Sequence, residues 1–245
     1  MISNKDIKKY NKSSSYSYTL GAFPTFELLE NYPEIVEKIM IHTTAKQEIY
    51  DKAEKLCEQN HIQLVVNDKL LEKIREKENC IAAGVFDKFQ CQIEKNQNHV
   101  VLVNPSDSGN MGTIIRTCAG FGINNLAIIE PAVDIFHPKV VRASMGSLFR
   151  INHQYFPSFE EYYHKYGENR SMYPFMLKGA KKLGSFSLNR NQPFSLIFGN
   201  EATGLDDSFL GVGQSVLIAH TKAIDSLNLS LAAGIAIYEF TKHYF

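Results

Sequence analysis

Apolar and polar positions alternate in short blocks along the first ninety or so residues, and the blocks predict strands and helices in turn. Residues 1–16 are polar and rich in Ser and Lys, which predicts a flexible N-terminal arm. A helical pattern begins at Thr25, and Ala45–Asn60 places its apolar residues on one helical face. The same reasoning predicts a short helix at 68–77 and strands at 39–41, 62–66 and 81–85. Such alternation is typical of a small α/β domain.

A polar stretch at residues 92–98, QIEKNQN, predicts a domain boundary. The continuous apolar run His99–Val103 follows it and is typical of a buried parallel strand. Further strands are predicted at 126–129, 172–177, 194–198 and 215–218, with helices between several of them. The second half is therefore expected to be an open α/β sheet, in which ligands collect at the carboxyl ends of the strands. We expect a first domain over 17–92 and a second over 97–245.

Composition is that of an ordinary globular chain, with 44% hydrophobic and 21% charged residues in a length of 245, enough for two domains. There is no run of about 18 apolar residues, so a membrane span is not expected. The first residues contain lysines but lack the apolar stretch of a secretory signal. The expected compartment is therefore the cytoplasm.

Charge and metal-ligand spacing narrow the function classes. Lys plus Arg equals Asp plus Glu at 26 each, and residues 1–95 hold 14 basic and 15 acidic side chains. This balance argues against strong nonspecific binding of nucleic acid, although a local basic patch remains open. The eight histidines show no H-x-x-x-H pair and the cysteines no C-x-x-C pair, so we predict no metal site. We expect four buried, reduced thiols, Cys57, Cys80, Cys91 and Cys118.

The first candidate motif is N-P-S-D-S-G-N-M-G-T-I-I-R-T, which starts at Asn104 and runs from a strand through a turn into a helix. Apolar residues at 111, 114, 115 and 118 define the buried face of that helix. Arg116 projects about 150° away from this face, towards solvent or a partner. Taken alone, such a residue is more often an ordinary surface arginine.

The second and third motifs each follow a predicted strand. F-G-N-E-A-T-G-L starts at Phe198, and its glycines allow a ligand to approach the backbone closely, although a tight turn with Glu201 near a helix N-terminus explains it equally well. S-L-N-L-S-L-A-A starts at Ser226, where Ser226 and Asn228 are suited to cap a helix. The small residues between 230 and 236 let another backbone pack very close to that helix.

In this order and spacing, the three motifs resemble the signature of the SpoU/TrmH family in the SPOUT methyltransferase superfamily, over about residues 98–243. The part from Tyr18 to about Phe89 is similar, more loosely, to the α/β/α ribosomal-protein-like RNA-binding domain often fused in front. The resemblance implies a trefoil-knotted α/β methyltransferase domain, a homodimer, S-adenosyl-L-methionine as cofactor, and methylation of a ribose 2′-hydroxyl in rRNA or tRNA.

The resemblance also implies roles for individual residues. The cofactor's adenine would be held by backbone groups near Phe198, Gly199, Ile218 and Leu227, next to Asn228. Arg116 would meet the RNA at the 2′-hydroxyl, and the pocket would be completed by Asn110, Glu201, Ser226 and Asn228. Because guanidinium stays protonated, orienting a phosphate and stabilising the developing alkoxide suits Arg116 better than acting as a base. Candidate RNA contacts are Lys139, Arg142, Arg150, Lys178, Lys181 and Lys182.

Two positions depart from the family pattern. Ile218-Ala219-His220 stands where the family commonly has I-P-M, so the rigidity of the proline is lost. Ala202 stands where glycine is common, which narrows the backbone freedom of that turn. Neither departure removes a side chain that the resemblance assigns to catalysis.

Three other interpretations remain open. A non-catalytic RNA-binding homologue would keep the fold without the chemistry, although the chain retains Arg116, Glu201, Ser226 and Asn228. Methyltransferases that act on a base nitrogen usually lack the pattern N-x-x-x-x-x-R in the first motif. This chain has that pattern at Asn110 and Arg116. A nicotinamide-dependent oxidoreductase is the weakest alternative, because the first motif lacks the G-x-G-x-x-G spacing.

Overall fold

The computed structural model describes residues 7–75, 79–187, 189 and 191–245, and the chain divides into two compact units. The first unit combines Met1–Phe89 with Asp134–Arg150, and the second combines Gln90–Val133 with Ile151–Phe245. The division after residue 89 lies just before the predicted boundary at 92–98. The segment Asp134–Arg150, which the sequence reasoning kept in the second domain, instead groups with the first unit.

The described residues form strands and helices in alternation. The strands are β1 (Tyr16–Leu20), β2 (Val36–Ile41), β3 (Leu64–Val66), β4 (Ala82–Asp87), β5 (His99–Val103), β6 (Asn125–Ile129), β7 (Asn152–Phe156), β8 (Ser171–Pro174), β9 (Lys181–Lys182), β10 (Phe194–Phe198) and β11 (Val216–Leu217). The α-helices are α1 (Ala22–Asn31), α2 (Gln47–Gln59), α3 (Asp68–Ile74), α4 (Ser108–Gly120), α5 (Pro138–Ala143), α6 (Phe159–Tyr166) and α7 (Leu229–Thr241). Among the described helices, none combines the length and the apolar character needed to cross a bilayer.

The first unit contains a mixed sheet in the order β1-β4-β2-β3. Strands β1 and β2 run antiparallel to β4, and β3 runs parallel to β2. The apolar runs at 39–41, 62–66 and 81–85 fall in β2, β3 and β4, so these strands are confirmed, as are the helices at 45–60 and 68–77. The second of these ends at Ile74, and the end of the predicted range, 76–77, lies outside the described residues.

The predicted flexible arm is packed over the part that the structure describes. Ile7 is buried in an apolar cluster of the first unit, and the Tyr18 hydroxyl donates a hydrogen bond to the Lys8 carbonyl at 2.6 Å. Strand β1, which sequence patterning did not identify, begins at Tyr16. Residues 1–6 of the predicted arm lie outside the described residues.

Contacts with β1 and β4 explain why Asp134–Arg150 groups with the first unit. The Ser17 hydroxyl in β1 donates a hydrogen bond to the Phe136 carbonyl, and Lys88, after β4, lies 3.3 Å from the Asp134 carboxylate. Helix α5 packs against β1. Patterning along the chain cannot reveal these pairings, because it records which residues are apolar and not which sheet they join.

The second unit contains a five-stranded, wholly parallel sheet in the order β7-β6-β5-β10-β8. Its strands β5, β6 and β10 are buried along their apolar runs, as expected for a parallel sheet covered on both faces. A separate parallel pair joins β9 and β11. Since all five strands of the large sheet run the same way, the loops after β5 and β10, which carry the first two motifs, leave the same edge.

Candidate active site

A cavity of about 780 Å³ lies in the second unit, beside the ends of β10 and β11. Phe198 and Gly199 form part of its wall, with Glu201 beyond them. Three further predicted site residues, Ile218, Ser226 and Leu227, also line it. The second and third motifs therefore meet at one cavity, which lies where parallel sheets bind their ligands.

The wall formed by the second motif is shaped by close backbone packing. A Cβ atom at Gly199 would lie 2.2 Å from the carbonyl carbon of Gly204, so no larger residue fits at 199. Gly204 has a φ of 68° and donates its N–H to the Asn200 carbonyl at 2.9 Å, which closes the turn. The Phe198 ring stacks on Phe175 with centroids 4.6 Å apart, giving this wall an aromatic component.

Glu201 is held by the loop of the first motif at the start of α4. Its Oε2 accepts hydrogen bonds from the Ser106 N–H at 3.1 Å and the Ser106 hydroxyl at 2.8 Å. Its Oε1 accepts from the Asp107 N–H at 3.1 Å and from the Asn110 side-chain amide at 3.3 Å. A carboxylate in this position satisfies backbone donors that a helix N-terminus otherwise leaves open.

Electrostatics keep Glu201 ionised. Partial burial alone would raise its pKa, but the hydrogen bonds from its own N–H, Ser106 and Asp107 outweigh burial and lower the pKa below its ordinary value. An ionised carboxylate only accepts hydrogen bonds. Glu201 is therefore suited to orient the groups around it rather than to donate a proton.

Hydrogen bonds between side chains link Glu201 to the third motif. The Asn228 side-chain amide donates to Asn110 Oδ1 at 3.1 Å, and Asn110 in turn donates to Glu201. Asn228 Oδ1 accepts from the Ser230 N–H at 2.9 Å and so caps α7. We call Glu201, Asn110 and Asn228 the carboxyl-edge network. It links one residue from each motif.

Two other predicted catalytic residues lie outside this network. Ser226 is exposed and lines the cavity. Arg116 is exposed on α4, as its helical position predicts, and forms no hydrogen bond or ion pair with any residue in the described ranges. Arg116 and Asn110 are six residues apart, which places them about 120° apart around the helix and about 9 Å apart along it.

The predicted RNA contacts fall into two groups. In the second unit, Lys181 and Lys182 are exposed on β9, while Lys178 lines the cavity and lies 3.0 Å from Asp207 in an exposed ion pair. In the first unit, Lys139 is exposed and Arg142 half-buried on α5. The guanidinium of the third, Arg150, already donates two hydrogen bonds to the carboxylate of Glu27.

Several site residues were not identified from the sequence. Ser106 and Asp107 hold Glu201 through backbone N–H groups, which a residue pattern does not display. Asn200 fixes the turn of the second motif, since its Oδ1 accepts from the Ala202 N–H at 2.9 Å. For Ser106 and Asp107, the sequence offered one indication, which is that a glutamate is favoured near a helix N-terminus.

No cysteine among the described residues lines the cavity. All four cysteines are free, and Cys57, Cys80 and Cys118 are buried as predicted, whereas Cys91 is half-buried. Burial raises the pKa of Cys57 to about 11 and that of Cys118 to about 12, so neither is a thiolate at neutral pH. Within the ranges that the structure describes, no group of His, Cys, Asp and Glu side chains is arranged to hold a metal ion.

Comparison with known proteins gives consistent matches. The model of the SpoU rRNA Methylase family matches residues 97–238. A tRNA/rRNA methyltransferase of Synechocystis sp., named as uncharacterized, is 28% identical over 193 residues, 76% of this chain and 70% of that protein. The 23S rRNA (uridine(2479)-2'-O)-methyltransferase of Streptomyces viridochromogenes is 32% identical over 145 residues, 57% of this chain and only 50% of that relative's length.

The fold has matches among solved structures. The AdoMet-bound rRNA methyltransferase from Sinorhizobium meliloti superposes with a TM-score of 0.78 at 23% identity. The match covers 94% of this chain and 88% of the other. The α/β architecture with a parallel sheet is therefore shared along nearly the whole chain.

Proposed function

The chain belongs to the SpoU rRNA methylase family, and from this premise we propose that it transfers a methyl group from S-adenosyl-L-methionine to a ribose 2′-hydroxyl of structured RNA, either rRNA or tRNA. The observation that carries the proposal is the carboxyl-edge network. Hydrogen bonds of 3.1–3.3 Å join Glu201, Asn110 and Asn228 beside the cavity. Because the network brings one residue from each motif to the cavity, it supports a shared catalytic role for the three motifs.

The cavity suits this cofactor in size and chemistry. Its volume of about 780 Å³ is within the range that accommodates small-molecule ligands. Phe198, Leu227 and Leu229 offer apolar surface for an adenine ring, and Glu201 and Asp225 place negative charge near a cationic ligand. Backbone groups of Phe198, Gly199, Ile218 and Leu227 would hold the adenine. When bound, the cofactor supplies an electrophilic methyl group on sulfonium.

The protein's own contribution to the reaction is to orient the ribose and to accommodate the charge that develops on its oxygen. Arg116 is exposed and unengaged within the described ranges, so its guanidinium is available to hold an RNA phosphate and to stabilise the alkoxide. Asn110 and Asn228 are fixed by their hydrogen bonds, and Ser226 lies at the cavity. These three would complete the pocket around the 2′-hydroxyl.

A second copy of the chain completes the proposed enzyme. Arg116 points about 120° away from Asn110 around α4, which supports a role at the cavity of a partner rather than at its own. Helix α7 exposes Leu231, Ile235 and Tyr238 at the spacing of one helical face, which suits an apolar interface between two copies. The trefoil knot also remains a prediction from the family resemblance.

RNA recognition is assigned to the first unit, as the ribosomal-protein-like RNA-binding domain, and to basic residues on both units. Lys139 and Arg142 on α5, and Lys181 and Lys182 on β9, are the candidates among the exposed or half-buried residues. Lys178 can exchange its exposed partner Asp207 for a phosphate at little cost, whereas Arg150 is the weakest candidate because Glu27 already binds its guanidinium.

The test is calorimetric titration of the purified protein with S-adenosylmethionine and S-adenosylhomocysteine, with NAD as the control ligand. We expect saturable binding of the first two and none of NAD. Absence of binding, with and without RNA, would contradict the proposal and favour a non-catalytic RNA-binding homologue. A variant with Gly199→Ala should bind neither ligand, because the added Cβ would displace the Gly204 backbone at the cavity wall.

A further inference from the structure

The segment Ile218-Ala219-His220 lines or borders the cavity at the point where the chain leaves β11. The family pattern commonly has I-P-M here, so this chain lacks the proline that would fix the backbone next to Ile218. Ile218 is one of the residues whose backbone is proposed to hold the cofactor's adenine. Without the proline, the direction of the Ile218 carbonyl depends on another restraint on the backbone of this part of the cavity wall.

The side chain of His220 provides such a restraint. Its Nδ1 lies 2.9 Å from the Ile218 carbonyl oxygen. A carbonyl only accepts hydrogen bonds, so Nδ1 carries the hydrogen and donates it. The bond returns from the side chain of residue 220 to the backbone of residue 218 and closes a ring around Ala219. His220 is half-buried and lines the same cavity as Ile218.

We propose that His220 is a positioning residue for the cofactor, whose Nδ1–H to Ile218 carbonyl hydrogen bond replaces the restraint normally given by proline at position 219. The inference rests on the proposed function in one respect, since it takes the cavity to bind S-adenosylmethionine. It assigns His220 no proton transfer and no direct role in the methyl transfer step.

The two restraints are comparable in size, which is why one can replace the other. A hydrogen bond of this kind changes an equilibrium constant by about two- to tenfold. A proline at a compatible position changes it by about two- to fivefold, chiefly by reducing the freedom of the unrestrained chain. Either device alone can therefore restrain the Ile218 carbonyl, and losing both leaves the ligand to order it on binding.

Neither hydrogen bonding nor packing opposes a proline at position 219. The Ala219 N–H donates no hydrogen bond within the ranges that the structure describes, so a proline removes none. Ala219 is exposed, so the ring would not have to enter a packed region. The family's own arrangement can therefore be rebuilt here by two substitutions.

The experiment compares the dissociation constant of S-adenosylhomocysteine for four full-length proteins: wild type, His220→Met, Ala219→Pro and the double variant. We expect His220→Met to weaken binding about two- to tenfold. The double variant should recover most of this loss, whereas Ala219→Pro alone should change binding little. His220→Asn, which can donate to the same carbonyl from its side-chain amide, should lie close to wild type. His243→Met, near the chain end, is the matched control.

Amide hydrogen exchange over residues 217–221 gives a readout that needs no ligand. Exchange should be faster in His220→Met and slower again in the double variant. Equal dissociation constants for wild type and His220→Met would overturn the inference while leaving the proposed function in place. So would a loss that the proline fails to recover in a folded double variant. Absence of binding by the wild-type protein would instead overturn the proposed function, and the inference with it.

Discussion

Two polar networks lie at opposite ends of the parallel sheet in the second unit, and they differ in what surrounds them. The carboxyl-edge network borders the cavity. The other, which we call the amino-edge network, is buried where β5 and β10 begin. Its members are joined by hydrogen bonds and are His99, Tyr162, Arg170 and Ser195. The same two strands thus carry a buried network at one end and an accessible one at the other.

The side chains of the amino-edge network form hydrogen bonds with one another and with nearby backbone carbonyls. Tyr162 lies with its hydroxyl 2.8 Å from His99 Nδ1 and 2.6 Å from the Ser195 hydroxyl. Burial, and secondarily the charge of Arg170, lowers the pKa of His99 to about 3, so the ring is neutral at pH 7. Arg170 is buried without an acidic partner in the described ranges and donates instead to backbone carbonyls, those of Lys95, Gln97, Tyr166 and Phe194.

The comparison separates stability from function. A buried network must satisfy its polar groups internally, because unsatisfied groups there are costly. At the carboxyl edge the partly buried Glu201 carboxylate accepts hydrogen bonds from four donors, and Ser226 and Arg116 remain exposed. We therefore expect substitutions at the amino edge to act on folding and those at the carboxyl edge to act on ligands.

Arg170→Met should give the largest loss of stability. The substitution leaves four backbone carbonyls without this donor. Those of Tyr166 and Phe194 are buried, and each buried unsatisfied group costs about 1–3 kcal/mol. We expect the free energy of unfolding, measured in urea, to fall by about 3 kcal/mol or more. Lys165→Met, an exposed lysine of α6, should change it by less than about 1 kcal/mol. Equal losses for the two variants would contradict the assignment of Arg170 to the core.

Asn110→Ala, in contrast, should lower the rate of methyl transfer more than it lowers stability. The change removes the amide that donates to Glu201 and accepts from Asn228, so the first and third motifs lose their link. Because hydrogen bonds to charged groups contribute about 1.5–3 kcal/mol, we expect kcat/KM for methyl transfer to fall about 10- to 100-fold. Asn200→Ala is the control variant, because Asn200 fixes the turn of the second motif but does not belong to the carboxyl-edge network. Unchanged kinetics with reduced stability would assign Asn110 a structural role only.

Acid should weaken the two networks in different pH windows. For His99 the folded pKa of about 3 lies below the unfolded value of about 6.5, so stability is lost as pH falls below about 6.5, by about 1.4 kcal/mol per pH unit. For Glu201 the folded pKa is lowered below about 4.5, so its contribution is lost only under more acidic conditions. His99→Gln should flatten the decline between pH 6.5 and 5, and Glu201→Gln should not. The same flattening in both variants would contradict this separation.

The smallest effect is expected at the exposed lysines. Lys178→Met removes an exposed ion pair with Asp207, which contributes less than about 1 kcal/mol to stability. RNA affinity should fall a few-fold, and the slope of log affinity against log salt should decrease by about one. A salt dependence identical to that of wild type would remove Lys178 from the proposed RNA-binding surface.

The sequence was informative where structure follows local pattern. The strands at 99–103 and 194–198 and the helix carrying Arg116 were predicted because their apolar spacing is regular and their surroundings are buried. Three motifs in a fixed order were also enough to identify the family. Periodicity alone could not have done so, since each motif taken singly has a plausible structural explanation.

The missed features depend on contacts between distant residues. Strand β1 lies in a stretch rich in Ser and Tyr, and its pairing with β4 rather than its pattern makes it a strand. The hydrogen bond from Arg150 to Glu27 was also missed, because Glu27 is 123 positions away along the chain. The donors to Glu201 include backbone N–H groups, which no residue type reveals.

The most direct test of the account is transfer of an isotopically labelled methyl group from S-adenosylmethionine to cellular RNA, followed by alkaline hydrolysis. Methylation of a 2′-hydroxyl blocks cleavage at the adjacent phosphodiester, so we predict that the label is recovered in alkali-resistant dinucleotides. Arg116→Ala should abolish this transfer while retaining cofactor binding. Label recovered in mononucleotides carrying a methylated base, or full transfer by Arg116→Ala, would contradict the account.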